Sequence, residues 1–160
     1  MTKQPNSTAA VAQVRGTPIS LTRLEPYLLL AGRLLLASIF IVSGIRKVFE
    51  FEAFIGYMEA FFVPIPRLLL PLAAVFEVVA GAMLALGIRT RLAAALLFAE
   101  TLLLNSIFHN FWNYPPAQQQ AQLNLFLFHM TTLGGFLYVF VHGGGPLSID
   151  GADRAAGGGR

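Results

Sequence analysis

The sequence predicts an all-α fold: an integral membrane four-helix bundle with an interfacial amphipathic helix between helices 1 and 2. Three observations predict it. Apolar residues make up 56% of the 160 positions, and charged residues only 12%, whereas a soluble domain carries about 25% charged residues. Mean hydropathy is +0.65. The apolar residues also gather into four runs of about 17–23 residues, each long enough to cross a hydrocarbon core of about 30 Å as a helix. This balance excludes a disordered chain, which needs low hydrophobicity and high charge. The net charge of +3, from 11 Lys and Arg against 8 Asp and Glu, is too sparse for a phosphate-binding face.

Taken in order, residues 1–26 are polar and lack the apolar core of a secretory signal, so they read as a cytoplasmic tail. Residues 27–142 form one membrane domain. Its first span runs from Tyr27 to about Phe49 and is interrupted by Arg33, Arg46 and Lys47. Glu50–Arg67 places Phe51, Phe54, Ile55, Met58 and Phe61 at helical spacing between Glu50, Glu52 and Glu59, the pattern of a helix lying on the interface. Pro64 and Pro66 end it. The second span, Leu68–Leu86, carries Glu77, and the third, Leu92–Phe108, carries Glu100. Gly87–Arg91 joins them as a tight turn. Trp112 and Tyr114 in the next loop suit an interfacial aromatic belt. The fourth span, Leu123–Val141, holds His129, and the Gly/Ala-rich residues 143–160 read as a second cytoplasmic tail.

In lipid the backbone must satisfy its own hydrogen bonds, so each span is expected to be helical. Gly81 with Ala85 and Ala95 with Ala99 offer small-residue seams for close helix contact. Lys3, Arg15, Arg23, Arg89, Arg91, Arg154 and Arg160 share one side of the expected topology, against Arg46, Lys47 and Arg67 on the other. The excess favours both termini, and the Arg89/Arg91 turn, in the cytoplasm.

There is no cysteine, which removes disulfides, thiolate metal sites and thiol redox chemistry. Charges inside a membrane are costly and each calls for a role. Arg33 lies about 9 Å into the first span and Glu77 about 13–14 Å into the second, a depth match that suggests a structural ion pair. Glu77 also stands as a ligand or proton group. Glu100 reads as a protonated, hydrogen-bonded carboxyl or as a proton donor to a buried ligand. Thr101, Asn105 and His109 fall on one helix face. With Asn124 and His129 of the fourth span, Asn105 and His109 could converge on one polar pocket, either as interhelical hydrogen bonds or as a quinone headgroup site. No compact metal-ligand spacing is present, and a bis-His haem fits poorly, because His129 lies about 9 Å deeper than His109. No metal is expected.

Four blocks carry a family resemblance: the run from Arg33 to Lys47, the run from Glu77 through Arg91 to Ala95, Phe108-His-Asn-Phe-Trp112, and Gly145-Pro-Leu-Ser-Ile-Asp150. In this order they resemble the DoxX family of four-helix inner-membrane proteins. The resemblance implies a bacterial cytoplasmic membrane location and a link to membrane redox systems, some members resembling a subunit of a thiosulfate:quinone oxidoreductase. It also carries over Arg33, Glu77, Arg91 and His109 as candidate functional residues. The expected function is a subunit of a membrane redox complex, not an enzyme alone, with a quinone as the one cofactor its site would take. In that site Glu77 or Glu100 would handle protons and His109 would hydrogen-bond a quinone carbonyl. The alternative is a non-catalytic accessory subunit of a larger membrane assembly. A small-molecule transporter acting as an oligomer is third, since the spans show no discontinuous helices or inverted repeat. Expected partners are the lipid bilayer, other membrane subunits or redox proteins, and further copies of the chain; nucleic acid is not among them.

Overall fold

The computed structural model describes residues 21–157, so most of the polar N-terminal tail lies outside the described residues. Those residues form helices α1 (Leu21–Phe49), α2 (Phe51–Ala60), α3 (Pro66–Leu86), α4 (Thr90–Phe108), α5 (Pro116–His142) and α6 (Ile149–Gly157), with a short 3₁₀ turn at Phe111–Asn113. Helices α1, α3, α4 and α5 are long and apolar enough to cross a membrane.

The polarity of the bundle is inverted relative to a water-soluble protein. Leu35, Val75, Phe128 and Tyr138 point outward, while Arg33, Glu77, Thr101, Asn105 and Ser148 are buried. An apolar exterior with polar groups turned inward is what a lipid environment selects.

Helix α1 packs antiparallel along α3, and α4 along α5. The α1–α3 seam is tight because of its glycines. A Cβ on Gly44 would stand 2.7 Å from the Ala74 carbonyl oxygen, and one on Gly81 would stand 3.0 Å from Ile41 Cγ1. The core joins Ala37 and Phe40 to Ala80 and Leu84, to Ala93, Ala94 and Leu97, and to Phe136. Within it the Phe40 and Phe136 rings have centroids 5.5 Å apart.

Helix α2 buries Ile55 and leaves Glu52 and Glu59 exposed, as an amphipathic interfacial helix should. Exposed ion pairs, Arg46–Glu50 and Arg67–Glu52, flank it. The strap from α2 to α3 is bent through two non-glycine residues in the left-handed region, Phe62 (φ 55°) and Ile65 (φ 44°). Such a conformation is costly for a β-branched residue and persists only where the surroundings enforce it.

The segment after α5, expected as a second polar tail, folds back onto the α3–α4 hairpin. Gly87 ends α3 in the left-handed conformation, with its N–H on Leu84 O and the Ile88 N–H on Met83 O, a Schellman ending. The Asp150 carboxylate then caps α4, accepting from the Arg89 N–H (2.8 Å), the Thr90 N–H (2.7 Å) and the Thr90 hydroxyl (2.7 Å). The Asp150 N–H donates in turn to Gly87 O. Burial alone would raise the Asp150 carboxyl, but the Thr90 and Arg89 hydrogen bonds outweigh it and hold the group below its ordinary value. Ser148 caps α6 by accepting from the Gly151 N–H at 3.0 Å.

Candidate functional site

Arg33 and Glu77 do not pair. The α1–α3 register sets Ala37 and Ile41 beside Gly81, and Gly44 beside Ala74. Arg33 therefore falls level with Leu84 and Ala85, about two turns from Glu77. Its guanidinium donates to Leu84 O (3.4 Å), Ala85 O (3.1 Å) and Leu147 O. The two α3 carbonyls lie in the last turn, the negative end of the helix, where a cation is favoured; Ala85 O has no backbone donor among the described residues, and Leu84 O also accepts from the Gly87 N–H. Arg91 does the same at the end of α5, donating to Val141 O at 3.0 Å. Arg89 contributes its backbone N–H to Asp150, and its side chain is exposed. The Arg33, Arg91 and Asp150 positions of the family blocks are thus helix caps at the end of the bundle that holds the α3–α4 turn.

The partner of Glu77 is Lys47. The Lys47 Nζ stands 2.7 Å from both Glu77 carboxylate oxygens and 2.7 Å from the Ser43 hydroxyl. The side chains are 11% and 3% exposed, so this is an ion pair largely withdrawn from solvent. The Phe54 ring of α2 lies 5.4 Å from the same ammonium.

This pair borders a cavity of about 260 Å³ between α1, α2, α3, α4 and α5. Most of its wall is apolar, from residues such as Phe40, Met58 and Leu104. The His109 and His129 imidazoles also line it, with ring centroids 4.8 Å apart. His129 Nδ1 is 3.0 Å from Asn105 Oδ1, and His109 Nδ1 is 2.8 Å from Gln122 Oε1. Beside them Tyr57, Phe61 and Phe108 cluster with centroids 5.0–5.3 Å apart, Tyr57 stacked on Phe108 and Phe61 edge-on to it. Burial pushes the Tyr57 phenol above its ordinary value, and its hydrogen bond with Tyr114 adds to the shift.

The structure therefore brings together Glu77, Asn105, His109 and His129 from the expected set. Asn124 is apart from them, exposed and bonded to Gln120 at 3.1 Å. Glu100 is not in the cavity wall, and its buried Oε2 has no partner among the described residues. No group of three or more metal-ligating side chains occurs among the described residues. Sequence reasoning missed Lys47, Gln122 and Tyr57. The signal for Lys47 was present: Arg33, Ala37, Phe40, Gly44 and Lys47 recur at three- and four-residue steps, one helix face, and all but Lys47 are buried.

The family model described as DoxX matches residues 28–110. Similar proteins include the inner membrane protein YphA of Escherichia coli (strain K12), 32% identical over 126 residues, covering 79% of this chain and 90% of the relative. The inner membrane protein YqjF of the same organism is 31% identical over 128 residues, covering 80% and 93%. No solved structure matches the chain.

Proposed function

The chain belongs to the DoxX family of inner-membrane proteins, and on that premise we propose that it is a subunit of a membrane redox assembly whose interhelical cavity takes a quinone-class headgroup. One observation carries the reading. A largely apolar cavity of about 260 Å³ opens among five helices with an ion pair and two imidazoles in its wall. A cavity of about 150 Å³ already accepts benzene, so this one suits a substituted aromatic ring. Apolar walls with a few convergent polar groups are the usual make-up of a small-molecule site. With no cysteine, and no cluster of metal ligands among the described residues, the electron donor is supplied by a partner protein.

The test is binding of a short-chain ubiquinone and its quinol to the purified protein in detergent, alongside lipid extraction of the protein from its own membrane. The expected result is a co-purifying quinone-class molecule, and its loss in His109→Ala with helicity unchanged. A folded protein that binds neither form refutes the reading.

The accessory-subunit reading has one observation in its favour: Arg33, Arg91 and Asp150 all act as helix caps. It predicts that their substitution lowers stability and assembly while leaving ligand binding per folded molecule intact. We further propose that both termini face the cytoplasm, on the Lys and Arg count. Because the chain has no cysteine, single cysteines at Trp112 and Arg154 read this out directly. An impermeant maleimide should label the Trp112→Cys protein in intact spheroplasts and the Arg154→Cys protein only after lysis; the reverse pattern inverts the topology.

A further inference from the structure

The hydrogen-bonding character of the cavity wall says which form of the ring it holds, an inference that rests on the quinone-class reading above. Consider the donors first. An ammonium has three protons, and those of Lys47 are directed to Ser43 and to the two Glu77 oxygens. The Thr101 hydroxyl donates to Leu97 O at 2.7 Å, and the Thr132 hydroxyl to Phe128 O at 3.0 Å. The Tyr114 hydroxyl donates to Phe108 O at 2.8 Å, so in its hydrogen bond with Tyr57 it is the acceptor and Tyr57 the donor. Of the lining hydroxyl and ammonium groups other than Tyr57, which is paired with Tyr114 outside the wall, the Ser43 proton alone has no acceptor of its own among the described residues.

The acceptors are different. An amide oxygen can only accept. The Asn105 oxygen therefore requires a proton on Nδ1 of His129, and the Gln122 oxygen requires one on Nδ1 of His109. The Asn105 amide nitrogen faces Phe126 O at 3.5 Å, which keeps its oxygen toward the imidazole. A neutral ring with its proton on Nδ1 carries a lone pair on Nε2. Neither Nε2 has a partner among the described residues, and both imidazoles line the cavity. The wall thus offers two imidazole lone pairs and the Glu77 carboxylate, with almost no free proton.

We infer that the cavity selects an occupant whose polar end donates hydrogen bonds, a hydroquinone-type aromatic diol, over the oxidised quinone, with Asn105 and Gln122 as the residues that set the histidine tautomers. A quinone carbonyl would meet nitrogen lone pairs, whereas a diol hydroxyl would donate to them. His109 is then an acceptor from a hydroxyl and not a donor to a carbonyl.

The test pairs two measurements on the full-length protein in detergent. Nitrogen-15 NMR of histidine-labelled protein reports the tautomer directly, and protonated Nδ1 with bare Nε2 is expected at His109 and His129, assigned through single His→Gln variants. Binding of a short-chain ubiquinone and its quinol, measured without oxygen, should favour the quinol by about tenfold or more. Asn105→Leu should shrink that preference while Asn105→Asp, which still accepts from Nδ1, retains it. A proton on either Nε2, or a quinone bound as tightly as the quinol, overturns the inference and leaves the quinone-class reading standing. Binding of neither form overturns the quinone-class reading itself.

Discussion

Replacing Gly87 by alanine tests the corner where α3, α4, α1 and the C-terminal segment meet. Two penalties add. Gly87 has φ 72°, and a left-handed backbone costs an L-residue about 1–2 kcal/mol. The new methyl would also overlap Arg33 Nη1 and Ser148 Cβ. Relief requires the guanidinium to withdraw from Leu84 O and Ala85 O, and a hydrogen bond involving a charged group contributes about 1.5–3 kcal/mol. The sum is roughly 2.5–5 kcal/mol, a large part of the stability of an ordinary domain. Gly134→Ala is the control. Its Cβ would meet nothing within 4 Å, and it lies inside α5, where alanine gains up to about 1 kcal/mol in helix propensity. Unfolding in mixed micelles at rising SDS fraction, followed by circular dichroism, compares the two. A double-mutant cycle adds Arg33→Met, which removes the colliding guanidinium, so the Gly87→Ala penalty should fall by at least about 1 kcal/mol in that background. If Gly87→Ala unfolds within about 1 kcal/mol of the parent, the account of this corner is wrong.

Three other consequences follow. Lys47→Met and Glu77→Leu should each destabilise by about 3–5 kcal/mol, because each leaves a largely buried charge unpaired, while the double substitution costs far less than their sum. Arg33→Ala with Glu77→Ala should instead be additive, and strong coupling between them in the same SDS titrations would contradict the register. Asp150→Asn should cost about 1–2 kcal/mol at neutral pH through the weakened α4 cap. Since the folded carboxyl titrates below its ordinary value of 3.8, its contribution is complete above that pH and is lost as pH falls through the depressed value. The melting temperature of Asp150→Asn should therefore decline less steeply below about pH 4, and parallel curves for variant and parent would count against the cap.

The spans were legible because hydropathy and length are properties of single segments. The interfacial helix was legible from its own periodicity. What stayed hidden depended on how helices face each other. Depth alone put Arg33 near Glu77, because both were measured from the apparent ends of apolar runs. In the structure α1 begins at Leu21 and α3 ends level with Arg33, so the two scales do not share an origin. The antiparallel course of α4 and α5 allowed His109 and His129 to converge, but depth counted along the runs set them about 9 Å apart, whereas their ring centroids are 4.8 Å apart, and Asn124, considered for the same pocket, faces outward by helix rotation. Gly143–Asp150 read as a tail because glycine and proline carry no periodicity. Its order comes from distant partners, above all Gly87 and Thr90.

The same clamp bears on how the chain is made. Arg33 finds one of its three carbonyls on Leu147, 114 residues later, and the other two on α3. A ribosome delivers the first span well before any of them. The guanidinium must therefore enter the bilayer region without its acceptors and wait, beside the insertion machinery or at the interface, for the second span and then for the last loop. The bundle cannot close in the order in which it is synthesised: its earliest helix waits for Leu147, and the N-terminus of α4 waits for Asp150.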